Sequence, residues 1–222
     1  MKRTKSQTWI QQPSAKSRQP FKKPRRQSIG ASVGAIPSKK PEKKNIDTQI
    51  SLATPGATWT AAQLLNPIVQ GTGVSGRVGR QVNLKSVFIR WVFTGTQTPF
   101  RFVIIYDKQP NGALPATTDI FSVNSINGLM TLANSDRFKV IHDEYIYANG
   151  GSNQGNFQSA SNALAGKYFR DFGEGLQNIW TDAATGTIAD ISTGALYYIA
   201  NSIVATGAAG LVATTRVRYT DQ

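Results

Sequence analysis

Cations crowd one end of this chain. Lys2, Arg3, Lys5, Lys16, Arg18, Lys22, Lys23, Arg25, Arg26, Lys39, Lys40, Lys43 and Lys44 give thirteen positive charges within residues 1–45, against the single carboxylate of Glu42. That stretch therefore carries +12 of the chain's +13. The chemistry open to it is neutralisation of a polyanion. Nucleic acid fits best, and an acidic lipid surface is the other candidate. All thirteen cations are read as nucleic-acid-binding residues. Lys22-Lys23-Pro24-Arg25-Arg26 is the densest cluster and also has the form of a nuclear import signal. Trp9 and Phe21 sit among the cations, where they either stack on bases or dock onto the folded part of the chain.

Catalytic chemistry has little to stand on. His142 is the only histidine, so histidine triads and multi-histidine metal sites are excluded by count. With no cysteine, thiol catalysis, disulfides and cysteine-ligated metals are excluded too. Asp143 and Glu144 are adjacent on an expected strand, so they point to opposite faces and do not act together. Gly71 to Gly76 matches the spacing of a dinucleotide fingerprint, but a strand follows it where that motif needs a helix. No cofactor is expected, and the chain is read as a non-enzyme.

The elements that must carry the basic segment fall into two parts. Residues 1–45 hold five prolines, many Ser and Gln, and almost no apolar run. Such a segment cannot bury enough surface to offset its ordering entropy, so it is expected to be disordered unless a partner orders it. Residues 46–222 hold twelve cations and eleven carboxylates, enough chain for one compact domain of nearly neutral charge. Strands are expected at residues 49–53, 82–93, 100–106, 137–148, 167–172, 176–180, 195–205 and 211–219. Short helical turns are expected near 61–65 and 118–123. In the long strand, Val82, Leu84, Ser86, Phe88, Arg90 and Val92 are assigned to one face. Residues 191–215 lack charge, but their Gly, Ser, Asn and Thr content favours two buried strands joined by a turn at 206–210 over a membrane span. No signal-peptide pattern is found. Six to eight strands with long unequal loops read as an all-β Greek-key sandwich.

A series of short motifs resembles the coat proteins of small circular single-stranded DNA viruses, the geminivirus and circovirus-like group. It runs from Gly76-Arg77-Val78-Gly79-Arg80 into Val82-Asn83-Leu84-Lys85-Ser86, then from Phe102 through Gly112 to Pro115 and Asp119-Ile120-Phe121. Asp136-Arg137-Phe138-Lys139-Val140 and the ending Ala213-Thr214-Thr215-Arg216-Val217-Arg218-Tyr219 complete it. A weaker similarity runs to the coats of satellite RNA viruses, through Gln70-Gly71, Arg77-Val78-Gly79 and Tyr219-Thr220-Asp221.

The resemblance implies a single eight-stranded jelly roll with a basic N-terminal arm. It implies a shell of copies of this chain around a single-stranded DNA genome, or an RNA genome under the second likeness. It also implies passage through the host nucleus by the nuclear import machinery, and residence in the virion. Arg77, Arg80 and Lys85 are expected either to extend the inner basic surface or to be ordinary solvent-facing charge. Asp221 is a candidate calcium ligand between subunits. A reading from another class remains open beside these: a non-viral, soluble nucleic-acid-binding protein.

Overall fold

A computed structural model describes residues 42–52, 57–95, 99–147, 163–203 and 209–221. The arm expected over residues 1–45 lies outside these as far as residue 41. The strands are β1 (Lys43–Leu52), β2 (Gln63–Leu64), β3 (Gln81–Gly95), β4 (Pro99–Asp107), β5 (Phe138–Tyr147), β6 (Ala163–Trp180), β7 (Ile191–Thr193), β8 (Ala195–Ser202) and β9 (Ala209–Asp221). Two helical turns, α1 (Thr117–Ile120) and a 3-10 turn at Leu132–Asn134, lie between β4 and β5.

The pairings are nested. β1 pairs with β9, β2 with β8, β3 with β6, and β4 with β5, all antiparallel. A long two-stranded ribbon is thus folded at residues 108–137. Its rolling up is completed by the β3–β9 and β4–β8 ladders. The result is two sheets, β1-β9-β3-β6-β7 and β2-β8-β4-β5. With the three-residue β7 set aside at its edge, this is the eight-stranded jelly roll. Each sheet buries one face against the other, with Phe93 against Phe100 at 5.0 Å between ring centres.

β3 departs from the expected alternation for one reason. Its register shifts between Leu84 and Ser86: against β9 these pair with Tyr219 and Arg218, which makes Lys85 the extra residue of a β-bulge, while against β6 they pair with Leu176 and Asp171, so there the longer insertion, residues 172–175, is on β6. Before the bulge Val82 and Leu84 are buried; after it the buried set is Val87, Ile89, Trp91 and Phe93. One inserted residue exchanges the two faces of a period-two strand. Phe88, Arg90 and Val92, assigned to the face of Val82, therefore turn outward.

Other expectations are corrected by tertiary pairing. The turn at residues 61–65 is extended: the Thr60 N–H donates to the Ala200 carbonyl at 2.8 Å and the Leu65 N–H to the Leu196 carbonyl at 2.8 Å. Ladder bonds to β8 outweigh the helix propensity of Ala61-Ala62. The strands expected at 167–172 and 176–180 are one strand, β6, kinked by Gly173 and Gly175 at φ +62° and +104°. β8 and β9 occupy different sheets, so they are not a hairpin pair; of the turn expected at 206–210, residues 206–208 lie outside the described residues.

β4 is buried on both faces because its own connection folds back over it. Arg101 anchors that cover. Its guanidinium pairs with Asp143 through bonds of 2.7 and 2.6 Å and donates to the Ile126 and Gly128 carbonyls at 2.7 and 2.8 Å. Trp59 stacks on Phe121 at 3.9 Å beside it. A second ion pair, the buried Asp107 with the partly exposed Arg137 at 2.8 Å, closes the other end of the connection.

Arg101→Ala leaves Asp143 and two carbonyls without their donor, and the expected cost is about 3 kcal/mol, read from urea unfolding. Burial raises the hydroxyl pKa of Tyr197, Tyr198 and Tyr219 above the ordinary value. Because the folded values lie above the unfolded one, this contribution is complete below about pH 10 and is lost as pH rises beyond it. Phenolate absorbance is therefore expected to show these three hydroxyls ionising only together with unfolding.

Candidate nucleic-acid interface

Of the predicted cations, Lys2, Arg3, Lys5, Lys16, Arg18, Lys22, Lys23, Arg25, Arg26, Lys39 and Lys40 lie outside the described residues, and so does the 22–26 cluster. Lys43 and Lys44 begin β1, where neighbours point to opposite faces. Lys43 is exposed. Lys44 is 2% exposed. Its ammonium donates to the Gly76 carbonyl at 2.9 Å and pairs with Asp221 at 2.8 Å. The assignment of Lys44 to nucleic acid is therefore corrected, because its charge is spent inside the domain. Asp221, the candidate calcium ligand, is held by that same ammonium.

Arg77 is corrected in the same way. It is fully buried, donates to the Gly79 and Ala183 carbonyls, and lies 4.8 Å over the Trp180 ring. Burial pulls its guanidinium below the ordinary pKa. Arg80 stays at the surface beside Asp182 at 3.3 Å, and Lys85 donates to the Glu174 carbonyl at 2.6 Å. The groups weighed for catalysis are occupied too. The His142 ring stacks on Tyr168 at 3.7 Å and its Nε2 meets Glu144 at 2.9 Å, while Asp143 serves Arg101. Among the described residues, no three His, Asp or Glu side chains stand together to hold a metal.

The structure assembles a basic face that the sequence reading missed. On the outward side of the five-stranded sheet, the register aligns four rows across β1, β9, β3 and β6. They read Asn45, Arg218, Ser86, Asp171; then Asp47, Arg216, Phe88, Phe169; then Gln49, Thr214, Arg90, Lys167; then Ser51, Val212, Val92, Ala165. Lys43 extends the β1 column at one end. Arg216, Arg218, Arg90 and Lys167 thus surround two phenylalanines, of which Phe169 is 55% exposed. The Arg90 guanidinium lies 5.7 Å from the Phe88 ring. Two adjoining hollows of about 550 and 310 Å³ share Arg90 and Thr214 and open along this face. The only clue in the sequence was the alternation of Arg216 and Arg218, which could not be aligned with Arg90 without the register.

Arg216 is bound bidentately by Asp47 at 2.7 and 2.6 Å. The Arg216 hydrogen bond holds the Asp47 carboxyl below its usual range. Both side chains are nearly half exposed, so a phosphate can compete for the guanidinium. Exposed phenyl rings among cations provide what a single strand offers partners for: base faces to stack and phosphates to neutralise.

All 222 residues match the model of the "Geminivirus coat protein/nuclear export factor BR1" family. The chain belongs to that family. It is also 28% identical over 138 residues to the coat protein of Maize white line mosaic satellite virus, a match covering 59% of this chain and 62% of that protein's length. Among solved structures, one titled Desmodium yellow mottle tymovirus aligns over 98% of this chain and 96% of its own, at 12% identity and a TM-score of 0.31. An unassembled KI polyomavirus VP1 pentamer aligns over 78% of this chain and 72% of its own, at 11% identity and a TM-score of 0.14. Structural likeness that slight says nothing about activity, and the jelly roll of this coat-family chain rests on its own nested pairings.

Asp47→Asn frees Arg216 for one more phosphate. The expected result is a steeper salt dependence of oligonucleotide binding, by about 0.7 in the log–log slope for a single strand, measured by fluorescence anisotropy. Phe169→Ala is expected to weaken the same binding by about 1–3 kcal/mol with little change in that slope, because stacking releases no counterion.

Proposed function

We propose that the chain is the shell subunit of a small icosahedral virus particle of about sixty copies, and that it packages single-stranded DNA. The observation that carries this reading is charge segregation: +12 within residues 1–45, joined at β1 to a nearly neutral jelly roll of a coat-protein family. At about sixty copies, the arms would bring about 720 positive charges to the genome, which offsets on the order of a kilobase of phosphates. Contacts to phosphates make such packaging tolerant of sequence and sensitive to salt. A segment so rich in Pro, Ser and Gln and so poor in apolar residues suits a genome that presents many local shapes.

The arm residues Lys2 through Lys40 and Lys43 are its phosphate contacts, and the outward face around Arg90, Lys167, Arg216 and Phe169 takes the strand lying against the shell. The Lys22 to Arg26 cluster is an address for the host import machinery, and the nuclear term in the family's description supports a DNA genome replicated in that compartment. The second reading, a single-stranded RNA genome, is favoured by the match to a satellite-virus coat protein.

The full chain and a version beginning at Lys40 would be expressed side by side and imaged by electron microscopy, with absorbance read at two ultraviolet wavelengths. Closed shells of uniform size that carry nucleic acid only when the arm is present are the expected outcome. Digestion of the contents by DNase or by RNase then separates the two genomes. A full chain that binds oligonucleotides yet never assembles would sink the shell reading in favour of a soluble binding protein.

A further inference from the structure

Away from the outward basic face, the sandwich has an open side between β5 and β6. β5 is the last strand of its sheet, and β6 meets β7 only at Ile179 and Trp180, so among the described strands residues 163–176 of β6 have one free edge. Both strands are irregular here. Ile141 is an extra residue of β5, because His142 pairs with Ile104 and Val140 with Ile105, and β6 has its insertion at residues 172–175. Bulges at sheet edges re-aim side chains, and these two border the same hollow of about 120 Å³.

Two cations line that hollow, Lys139 from β5 and Arg170 from β6. Lys139 lies directly opposite Tyr106 and Arg170 directly opposite Val87, and both of those partners are buried between the sheets. Directly opposed residues share a face, so the two cations leave the inner faces of the two sheets and approach the hollow from its two sides. One level away the sheets do meet: the His142 ring stacks on Tyr168, whose hydroxyl donates to the Ile141 carbonyl at 3.3 Å. At the hollow itself the facing groups are both positive and both exposed. Neither makes a hydrogen bond or an ion pair with another described residue. The one carboxylate on the lining, Asp171, stands in the outward row beside Ser86, and its Oδ1 accepts the Gly173 N–H at 2.7 Å.

We propose that Lys139 and Arg170 hold one phosphate group between them and so fasten β5 to β6 across the open side of the sandwich. Two unpaired cations on one hollow repel, and a dianion between them replaces that repulsion with two charge-assisted contacts. The guanidinium fork matches two phosphate oxygens, and the ammonium supplies a point charge for a third. Sites for whole small molecules begin at about 300 Å³, so this hollow takes the phosphate and leaves anything joined to it outside. The group is either free phosphate or a phosphate of a nucleic-acid backbone. β6 carries Lys167 and Phe169 on the outward face and Arg170 round the same edge, so a strand on that face reaches the hollow next. Only the backbone source rests on the nucleic-acid reading above; the site itself does not depend on shell formation.

The test compares the full chain with Lys139→Gln/Arg170→Gln. Both proteins carry the same N-terminal cations, so a difference between them reads the hollow alone. Inorganic phosphate, against chloride at equal ionic strength, is expected to raise the wild-type Tm by about 5 °C at a hundredfold excess over Kd and to leave the double variant nearly unmoved. In chloride alone the variant should be at least as stable as the wild type, which separates lost binding from a damaged fold. Arg170→Lys keeps the charge and loses the fork, and should weaken phosphate binding about tenfold. Oligonucleotide anisotropy reads the source: a backbone phosphate in the hollow makes the log–log salt slope of the double variant shallower by about 0.7. A phosphate-dependent Tm shift with equal slopes assigns the hollow to free phosphate, and a change of slope assigns it to the strand. Wild type and double variant that respond alike to phosphate and share one slope overturn the site. A chain that never assembles leaves it standing, so its failure and that of the shell reading are told apart.

Discussion

One inserted residue in β3 sets most of what this domain can do. At Lys85 the strand changes which of its faces is buried, and its register shifts there against both neighbours. Without that bulge, Phe88 and Arg90 would point into the sandwich and Val87, Ile89 and Trp91 would point out. The core would then contain an unpaired guanidinium, whose desolvation no neighbour on the inner face could offset. The bulge is thus required by the core, and the outward basic face is its consequence. Arg90 is brought beside Thr214 and Lys167 in one row, with Phe88 and Arg216 in the next.

Cations in this protein divide by burial into two kinds. Lys44, Arg77 and Arg101 are buried and hydrogen-bonded, and each fastens a loop whose own sequence has few ways to hold itself. Lys44 and Asp221 tie the root of the arm to the last strand and to the Gly76 carbonyl. A pull on the arm is then borne by the ten-residue β1–β9 ladder and by a buried ion pair together. Lys43, one residue earlier, faces solvent. Two adjacent lysines therefore do opposite work, and a strand's period of two is the reason.

The connection between β4 and β5 joins the two themes. A loop of nearly thirty residues with almost no charge would be a liability if it moved freely in water. Arg101, Trp59 and Asn134 fix it over the outer face of the four-stranded sheet, so β4 is covered on both sides by its own chain.

Charge segregation and the all-β class were legible in the residues alone. They depend on composition and on local alternation, which need no knowledge of what packs against what. Most strands were legible for the same reason: runs such as Phe100 to Tyr106 bury themselves wherever they are placed. The fate of single residues was not. Whether Lys44 reaches a phosphate or an internal carboxylate depends on Asp221, which lies at the far end of the chain and meets it only through the β1–β9 register. Whether Phe88 and Arg90 face the core or the solvent depends on a bulge whose position is set by two neighbouring strands. Sequence determined the classes of residue and the two-part organisation; the partners of each residue, and hence the basic face, were decided by long-range pairing that only the folded sheets establish.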